Sequence, residues 1–268
     1  MVFLGGGRIT GALVAGLRLA GYRGALVVYD RNPGKLRALR RESGVEVARD
    51  LKSAIAQAGM LIIAVRPADV DELLRDVSQH LGDSRSMLVV SLAAGVPLRK
   101  LRAQLGPSAR WTRAMPSPVC RIAQGLTALT FESDVSPSDR KRVHEFFTRV
   151  GAVLEIPERH FDAFTATFSS SHGYDVLATL AKAGRSAGLD RETALMAAAH
   201  AIGDGILYWR KSGQTLAELL HEAATPGGTA AATMNAMHAA GYETAVGKGL
   251  RAGIQQARRN ARTLRRKK

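Results

Sequence analysis

A short apolar run, Val2 to Leu4, ends in three consecutive glycines. The chain after them, "RITGALVAGLRLAGY", has apolar residues at helical spacing, and a second apolar run, "GALVVYD", closes on Asp30. Strand, glycine turn, amphipathic helix and strand in that order make a βαβ unit. Gly5, Gly7 and Thr10 fit the pattern G-x-G-x-x-small between strand and helix. The first glycine allows the tight turn, and the second lets a pyrophosphate approach the backbone where the unpaired N–H groups and dipole of a helix N terminus favour an anion. Gly5, Gly6, Gly7, Arg8, Ile9 and Thr10 are therefore the candidate phosphate cradle. A tight turn without a ligand is the plainer alternative, but Asp30 closes the second strand about where a ribose-binding acid belongs. Asp30 favours the free ribose hydroxyls of NAD, whereas Arg31 beside it suits the 2′-phosphate of NADP. The expected cofactor is thus NADP or NAD.

Further along, "MLIIAVRP" and "SMLVVSLAAGV" are buried, β-branched strands separated by helical intervals, the pattern of a parallel sheet covered on both faces. "ARWTRAMPSP" and "LTALTFES" suggest additional strands toward the far side of the sheet, and "GAVLEIPE" a last one. After Glu158 no strand signal recurs. The expected organisation is a dinucleotide-binding α/β domain over 1–156 and an all-helical domain over 157–268.

The chain of 268 residues, 46% apolar, is long enough for two buried cores. Its one cysteine, Cys120, excludes an intramolecular disulfide, and scattered histidines give no metal-ligand spacing, so no metal is expected. No apolar run spans a bilayer, and the N terminus reads as a strand entering a glycine loop, which points to a cytoplasmic protein without a membrane partner. The net charge of +15 is concentrated: residues 251–268 hold eight Lys/Arg and no acid. No aromatic residue interleaves them to stack on bases, so nucleic acid is not the expected partner.

The helical half is interrupted once, at "ATPGGTAAATMNAM" (223–236). Pro226, Gly227 and Gly228 do not suit a helix interior, where Pro removes a donor and each Gly costs roughly 1 kcal/mol against Ala. A helix restarting near Thr229 leaves its first N–H groups unpaired, and the glycines let a small anion reach them. An ordinary interhelical turn is the alternative.

The glycine turn followed by "AVRP" (64–67), "SLAAGV" (91–96), "RAMPSP" (113–118), "FDAFTA" (161–166) and "TPGGTA" (225–230) together resemble pyrroline-5-carboxylate reductase over essentially the whole chain. The resemblance implies a Rossmann-type doubly wound domain, then an all-α C-terminal dimerisation domain whose helices interlock between two subunits. It also implies reduction of a cyclic imine to proline with NADPH or NADH, hence proline biosynthesis, a small carboxylate-bearing substrate and a homodimer or higher even oligomer.

On the cofactor side it adds Val65, Arg66 and Pro67, then Ala93, Ala94 and Gly95, then Met115, Pro116 and Ser117. It places the substrate carboxylate on the loop Thr225, Pro226, Gly227, Gly228 and Thr229. Ser169, Ser170 and Ser171, in a stretch where the chain departs from the family, are candidate substrate contacts that would supply hydroxyls to a larger or differently polar substrate. The chain departs from the family in several places. Ser117 replaces an asparagine and Lys182 a common acid, while "FSSSHGY" (168–174) replaces a glycine-kinked helix with bulkier, more polar residues. A family threonine that hydrogen-bonds the substrate nitrogen is Ala230. Thr229, the candidate catalytic residue, lies next to it, although adjacent helix side chains point about 100° apart. Mid-helix serines and a lone His172 are otherwise structural polar groups. Phe161, Phe164 and Phe168 fit core or subunit interface, and Trp111 and Trp209 are expected to be structural. A related oxidoreductase acting on another imine or carbonyl, or a dinucleotide-binding protein without catalysis, remains open.

Overall fold

The computed structural model describes residues 1–81 and 86–263. The end of the basic tail, residues 264–268, lies outside the described residues. The chain forms two compact units: Met1–Phe168 with the stretch from Ala252 onward, and Ser169–Arg251.

The first unit begins with strand β1 (Val2–Leu4), helix α1 (Arg8–Leu19), β2 (Val27–Tyr29), α2 (Pro33–Ser43) and the short β3 (Glu46–Val47). There follow α3 (Leu51–Ala56), β4 (Leu61–Ile63), α4 (Val70–Ser78), β5 (Met87–Ser91), α5 (Leu98–Leu105) and β6 (Ala109–Pro116). Last come β7 (Gly125–Phe131), α6 (Pro137–Thr148), β8 (Gly151–Glu155) and α7 (Phe161–Thr167). The strands form one sheet in the order β3-β2-β1-β4-β5-β6-β7-β8. β1 to β6 run parallel, β7 is antiparallel to β6, and β8 is parallel to β7.

Alternation along each strand builds two cores. Phe3 and Ile62 join Leu13, Val28 and Phe147 on one face, while Val2, Leu4, Leu61, Ile63 and Trp111 join Ala54, Leu74 and Leu101 on the other. Because both faces are covered, the central strands are apolar throughout rather than alternating.

The second unit holds α8 (Ser170–Ser186), α9 (Arg191–Ser212), α10 (Leu216–Ala223), α11 (Thr229–Ala239) and the start of α12 (Tyr242–Thr263). Its helix starts follow capping chemistry. Asp190 accepts the Glu192 and Thr193 amides ahead of α9, and Thr215 forms a capping box with Glu218 at α10. Its packing is incomplete within one chain. Leu195, Met196, Ile206, Leu207, Tyr208 and Trp209 are all exposed, and among its described residues only Ala194 and Ala198 are buried apolar ones. An apolar surface on this scale marks an interaction face.

The sequence reading puts the serine run in mid-helix, but it falls at a helix boundary. The helix stops at Phe168, Ser169 takes an extended conformation ahead of α8, and its hydroxyl lies 2.6 Å from that of Ser171. Serine favours such a boundary because its side chain competes with the helix for backbone partners. Among the described residues no helix is long and apolar enough to cross a membrane.

Candidate active site

In an open α/β sheet, ligands bind beyond the carboxyl ends of the strands where the strand order reverses. Here that point lies between β1 and β4, and a cavity of about 350 Å³ opens there. It is lined by Gly5 and Gly7 after β1, by Tyr29 to Asn32 and Lys35 after β2, and by Val65, Arg66, Asp69 and Glu72 after β4. Six of the expected cofactor residues, Gly5, Gly7, Asp30, Arg31, Val65 and Arg66, are thus brought to one cleft.

Each glycine of the turn has its own reason. Gly5 has φ of +113°, and a Cβ there would stand 2.6 Å from the Ala64 carbonyl oxygen, so the close approach of β1 and β4 requires glycine. Its amide donates to the Tyr29 carbonyl at 2.7 Å. Gly6 donates its amide to Asp30 Oδ2 at 2.7 Å. Gly7 is the extended residue that precedes α1, and a Cβ on it would meet no heavy atom within 4 Å. The α1 N terminus has no side-chain cap and no acid in its first turn. Its amides therefore face the cleft with an uncompensated positive dipole end, the donor set a pyrophosphate needs. Thr10 is fully buried and its hydroxyl donates to the Gly5 carbonyl at 2.6 Å, which ties the helix back onto the turn. Further along α1, packing excludes any side chain at Gly16, where a Cβ would collide with the Cys120 carbonyl.

Asp30 does more than close β2. Its carboxylate accepts the Gly6 and Asn32 amides, both at 2.7 Å, and lies 3.4 Å from Lys35 Nζ. Burial alone would push its pKa up, but those two amides and the lysine outweigh it and hold the carboxyl below its ordinary range. Arg31 pairs with Glu72 at 2.6 Å, and Arg66 with Asp69 at 3.5 Å. Asn32 and Lys35 escaped the sequence reasoning. Their signal was "DRNPGK", in which Asn32 caps α2 by accepting the Gly34 and Lys35 amides and Pro33 opens the helix at the cleft edge.

The remaining expected residues lie elsewhere. Gly6, Arg8, Ile9, Thr10 and Pro67 adjoin the cleft without lining it. Ala93, Ala94 and Gly95 follow β5, Met115 and Pro116 end β6 and Ser117 follows it, on the same edge of the sheet but outside this cavity. Gly95, with φ of +75°, is pressed against the Ala257 carbonyl of α12, so packing by itself requires glycine there. The Ser117 hydroxyl accepts the Val119 amide at 3.1 Å and holds the turn after β6. In the helical unit, Thr225 accepts the Gly228 amide at 2.9 Å, Gly227 has φ of +76°, and α11 begins at Thr229 without a side-chain cap or a first-turn acid. Ala230 follows directly. Among the described residues no cluster of His, Cys, Asp or Glu is arranged to hold a metal ion.

Residues 158–260 match the family model for pyrroline-5-carboxylate reductase dimerisation, and residues 1–95 that for NADP oxidoreductase, coenzyme F420-dependent. The chain is 30% identical to pyrroline-5-carboxylate reductase of Mycobacterium leprae (strain TN) over 288 residues, covering 99% of this chain and 96% of that protein. The solved structure of 1-pyrroline-5-carboxylate reductase from Streptococcus pyogenes superposes with a TM-score of 0.84 at 25% identity, covering 96% of this chain and 97% of that one. The Plasmodium falciparum pyrroline carboxylate reductase with NADP bound has a TM-score of 0.86 at 21% identity, covering 97% of each chain. With a doubly wound nucleotide-binding sheet, a dimerisation region and near full-length similarity, the chain belongs to the pyrroline-5-carboxylate reductase family.

Proposed function

We propose that this protein reduces pyrroline-5-carboxylate to proline with NADPH or NADH, its subunits paired through the helical half. The observation that carries this reading is the uncapped glycine turn opening into the cleft at the strand-order switch, in a chain similar to such reductases over nearly its whole length. In this reading residues 1–156 hold the dinucleotide and residues 157–268 hold the substrate and the partner subunit.

The lining of the cleft suits the adenosine and pyrophosphate part of a dinucleotide. The α1 amides and Gly7 would receive the pyrophosphate, while Asp30 and Arg31, with Asn32 and Lys35, would surround the adenosine ribose. The nicotinamide nucleotide, when bound, supplies a hydride. A protonated imine is already electrophilic: hydride adds to its carbon, the C=N π pair moves to nitrogen, and an amine results. The protein therefore mainly orients the ring, excludes water and fixes the carboxylate. The first amides of α11, with Gly227 and Gly228 leaving them unobstructed, are the proposed carboxylate receptor, and Thr229 with Ser169 to Ser171 the proposed polar contacts. Carbon 4 of the nicotinamide would face the stretches at Val65 to Pro67, Ala93 to Gly95 and Met115 to Ser117.

Cofactor choice rests on a local balance. The Asp30 carboxylate repels a 2′-phosphate, and Arg31 is engaged by Glu72, whereas Lys35 and Arg31 together would attract it. Oxidation of NADPH and NADH, followed by absorbance with pyrroline-5-carboxylate and then with a panel of cyclic imines, tests the proposal. Turnover only with another imine would support a second reading, favoured by Ala230 and the "FSSSH" stretch, in which the fold serves a different substrate. Tight cofactor binding without any turnover would count against both.

A further inference from the structure

A second and larger cavity of about 920 Å³ lies in the same unit, bounded by α5, the turn Glu158–His160, α7 and the end of α12. It shares no lining residue with the cleft at the glycine turn. Five cations line it against two carboxylates.

One of these cations, Arg113 on β6, has a side chain only 3% exposed. Its Nη1 donates to Glu158 Oε1 at 3.0 Å, and its guanidinium lies 4.5 Å from the centre of the Phe161 ring. Nη2 is 3.9 Å from Asp162 Oδ1, and neither Nε nor Nη2 has a hydrogen-bond partner. Glu158 is shared, because the same Oε1 accepts the Leu98 amide at the start of α5 at 2.6 Å. The neutralisation of Arg113 is therefore partial, and burial presses its pKa down.

Arg99, Arg159 and Arg258 are exposed and form no ion pair among the described residues, while Lys100 stands 3.5 Å from Asp71. These three arginines come from α5, from the turn after β8 and from α12, segments far apart in sequence. Their convergence is tertiary and differs from the solvated charge run of a single helix face. Gathering like charges raises a local potential that a counter-anion relieves, and guanidinium forks match phosphate and carboxylate oxygens.

We propose that this cavity binds a small polyanion, a molecule with two or more phosphate or carboxylate groups, held by Arg99, Arg159 and Arg258 in the field of Arg113. Its volume suits a compact metabolite. The three arginines lie outside the cleft at the glycine turn, with Gly95, a proposed neighbour of the nicotinamide, at the cavity's edge, and the site does not depend on which imine is reduced.

The test is calorimetric titration of pyrophosphate, and separately of citrate, into the full-length protein saturated with NADPH. Saturable binding of one probe per chain is expected, weakened about tenfold or more by the double substitution Arg159→Ala with Arg258→Ala, the scale of losing a charge-assisted hydrogen bond. Arg23→Ala, an exposed basic residue remote in sequence from the site, should leave it unchanged. Both substitutions are at exposed positions, so an unaltered melting temperature checks that the fold is intact. Binding of pyrophosphate alone assigns a phosphate ligand, and binding of citrate alone or of both a site open to carboxylates. No saturable binding of either probe, or binding that the double variant retains, overturns the proposal.

Discussion

Gly5 and Gly7 lie two residues apart in one turn, yet adding a side chain to each should fail in opposite ways. At Gly7 the backbone has φ of −82° and ψ of −174°, an extended conformation open to a branched residue, and an added Cβ would touch nothing within 4 Å. Gly7→Val should therefore change folding stability by no more than about 0.5 kcal/mol, as at an unconstrained surface position. The same empty space is where a pyrophosphate would sit. Displacing it from two helix amides loses two charge-assisted hydrogen bonds of about 1.5–3 kcal/mol each. Affinity for both nicotinamide nucleotides should fall by a factor of about 10² to 10⁴. Gly5→Ala reverses this pattern. A side chain at φ of +113° costs about 1–3 kcal/mol in backbone strain. A Cβ placed 2.6 Å from the Ala64 oxygen forces the ends of β1 and β4 apart, at about 1–3 kcal/mol more. With about 2–4 °C per kcal/mol for a unit of this size, the melting temperature should drop by about 4–24 °C. Melting curves by circular dichroism and fluorescence titrations with NADPH and NADH measure both quantities on the same samples. A folded Gly7→Val protein with unchanged affinity for both nucleotides would show that no ligand uses the turn. A Gly5→Ala protein that melts like the parent would show that β1 and β4 are not held so closely.

Asp30→Asn keeps an acceptor for the Gly6 amide but removes the charge, and should raise kcat/KM for NADPH relative to NADH, while Arg31→Ala should lower it; if neither ratio moves, these residues do not reach the ribose. Because the folded-state pKa of Asp30 is depressed, its stabilising contribution is complete above its unfolded value of about 3.9 and is lost as pH falls through the lower folded value. Asp30→Asn should accordingly flatten the acid limb of stability below about pH 4, and an identical acid limb in parent and variant would contradict the assignment. The exposed apolar side chains of α9 predict a dimer in light scattering, and a stable, active monomer would refute that. Ala230→Thr restores a hydroxyl beside Thr229. If pyrroline-5-carboxylate is the substrate, a transition-state hydrogen bond of about 1.5–3 kcal/mol should raise kcat/KM roughly 10- to 150-fold. No gain in a folded, cofactor-binding variant would move the substrate to a different imine.

What the sequence made legible was settled by near neighbours. The glycine turn, the acid closing β2 and the helix restart after Pro226 depend on residues within a few positions, so propensity and spacing suffice to find them. What escaped was settled across the fold. The direction of β7 depends on how the turn after Ser117 is closed, through Ala123 at φ of +54°. The two-residue edge strand β3 has no apolar run to announce it, and the ion partner of Arg31, Glu72, lies 41 residues away. Glycine shows the same division most clearly, since one residue type has three causes here. Thr10 fills the small third slot of the turn and is fully buried, but the residue of α1 whose neighbour excludes any side chain is Gly16, against Cys120. Sequence similarity assigned Gly95 to the nicotinamide, yet the Ala257 carbonyl by itself requires glycine there, so Gly95 loses its weight as evidence for a ligand. Gly7 gains that weight. No backbone angle and no protein neighbour demands its missing side chain, and the space in front of it belongs to the cleft. A glycine that the fold does not require, at an uncapped helix N terminus, is the residue whose identity a bound phosphate explains best.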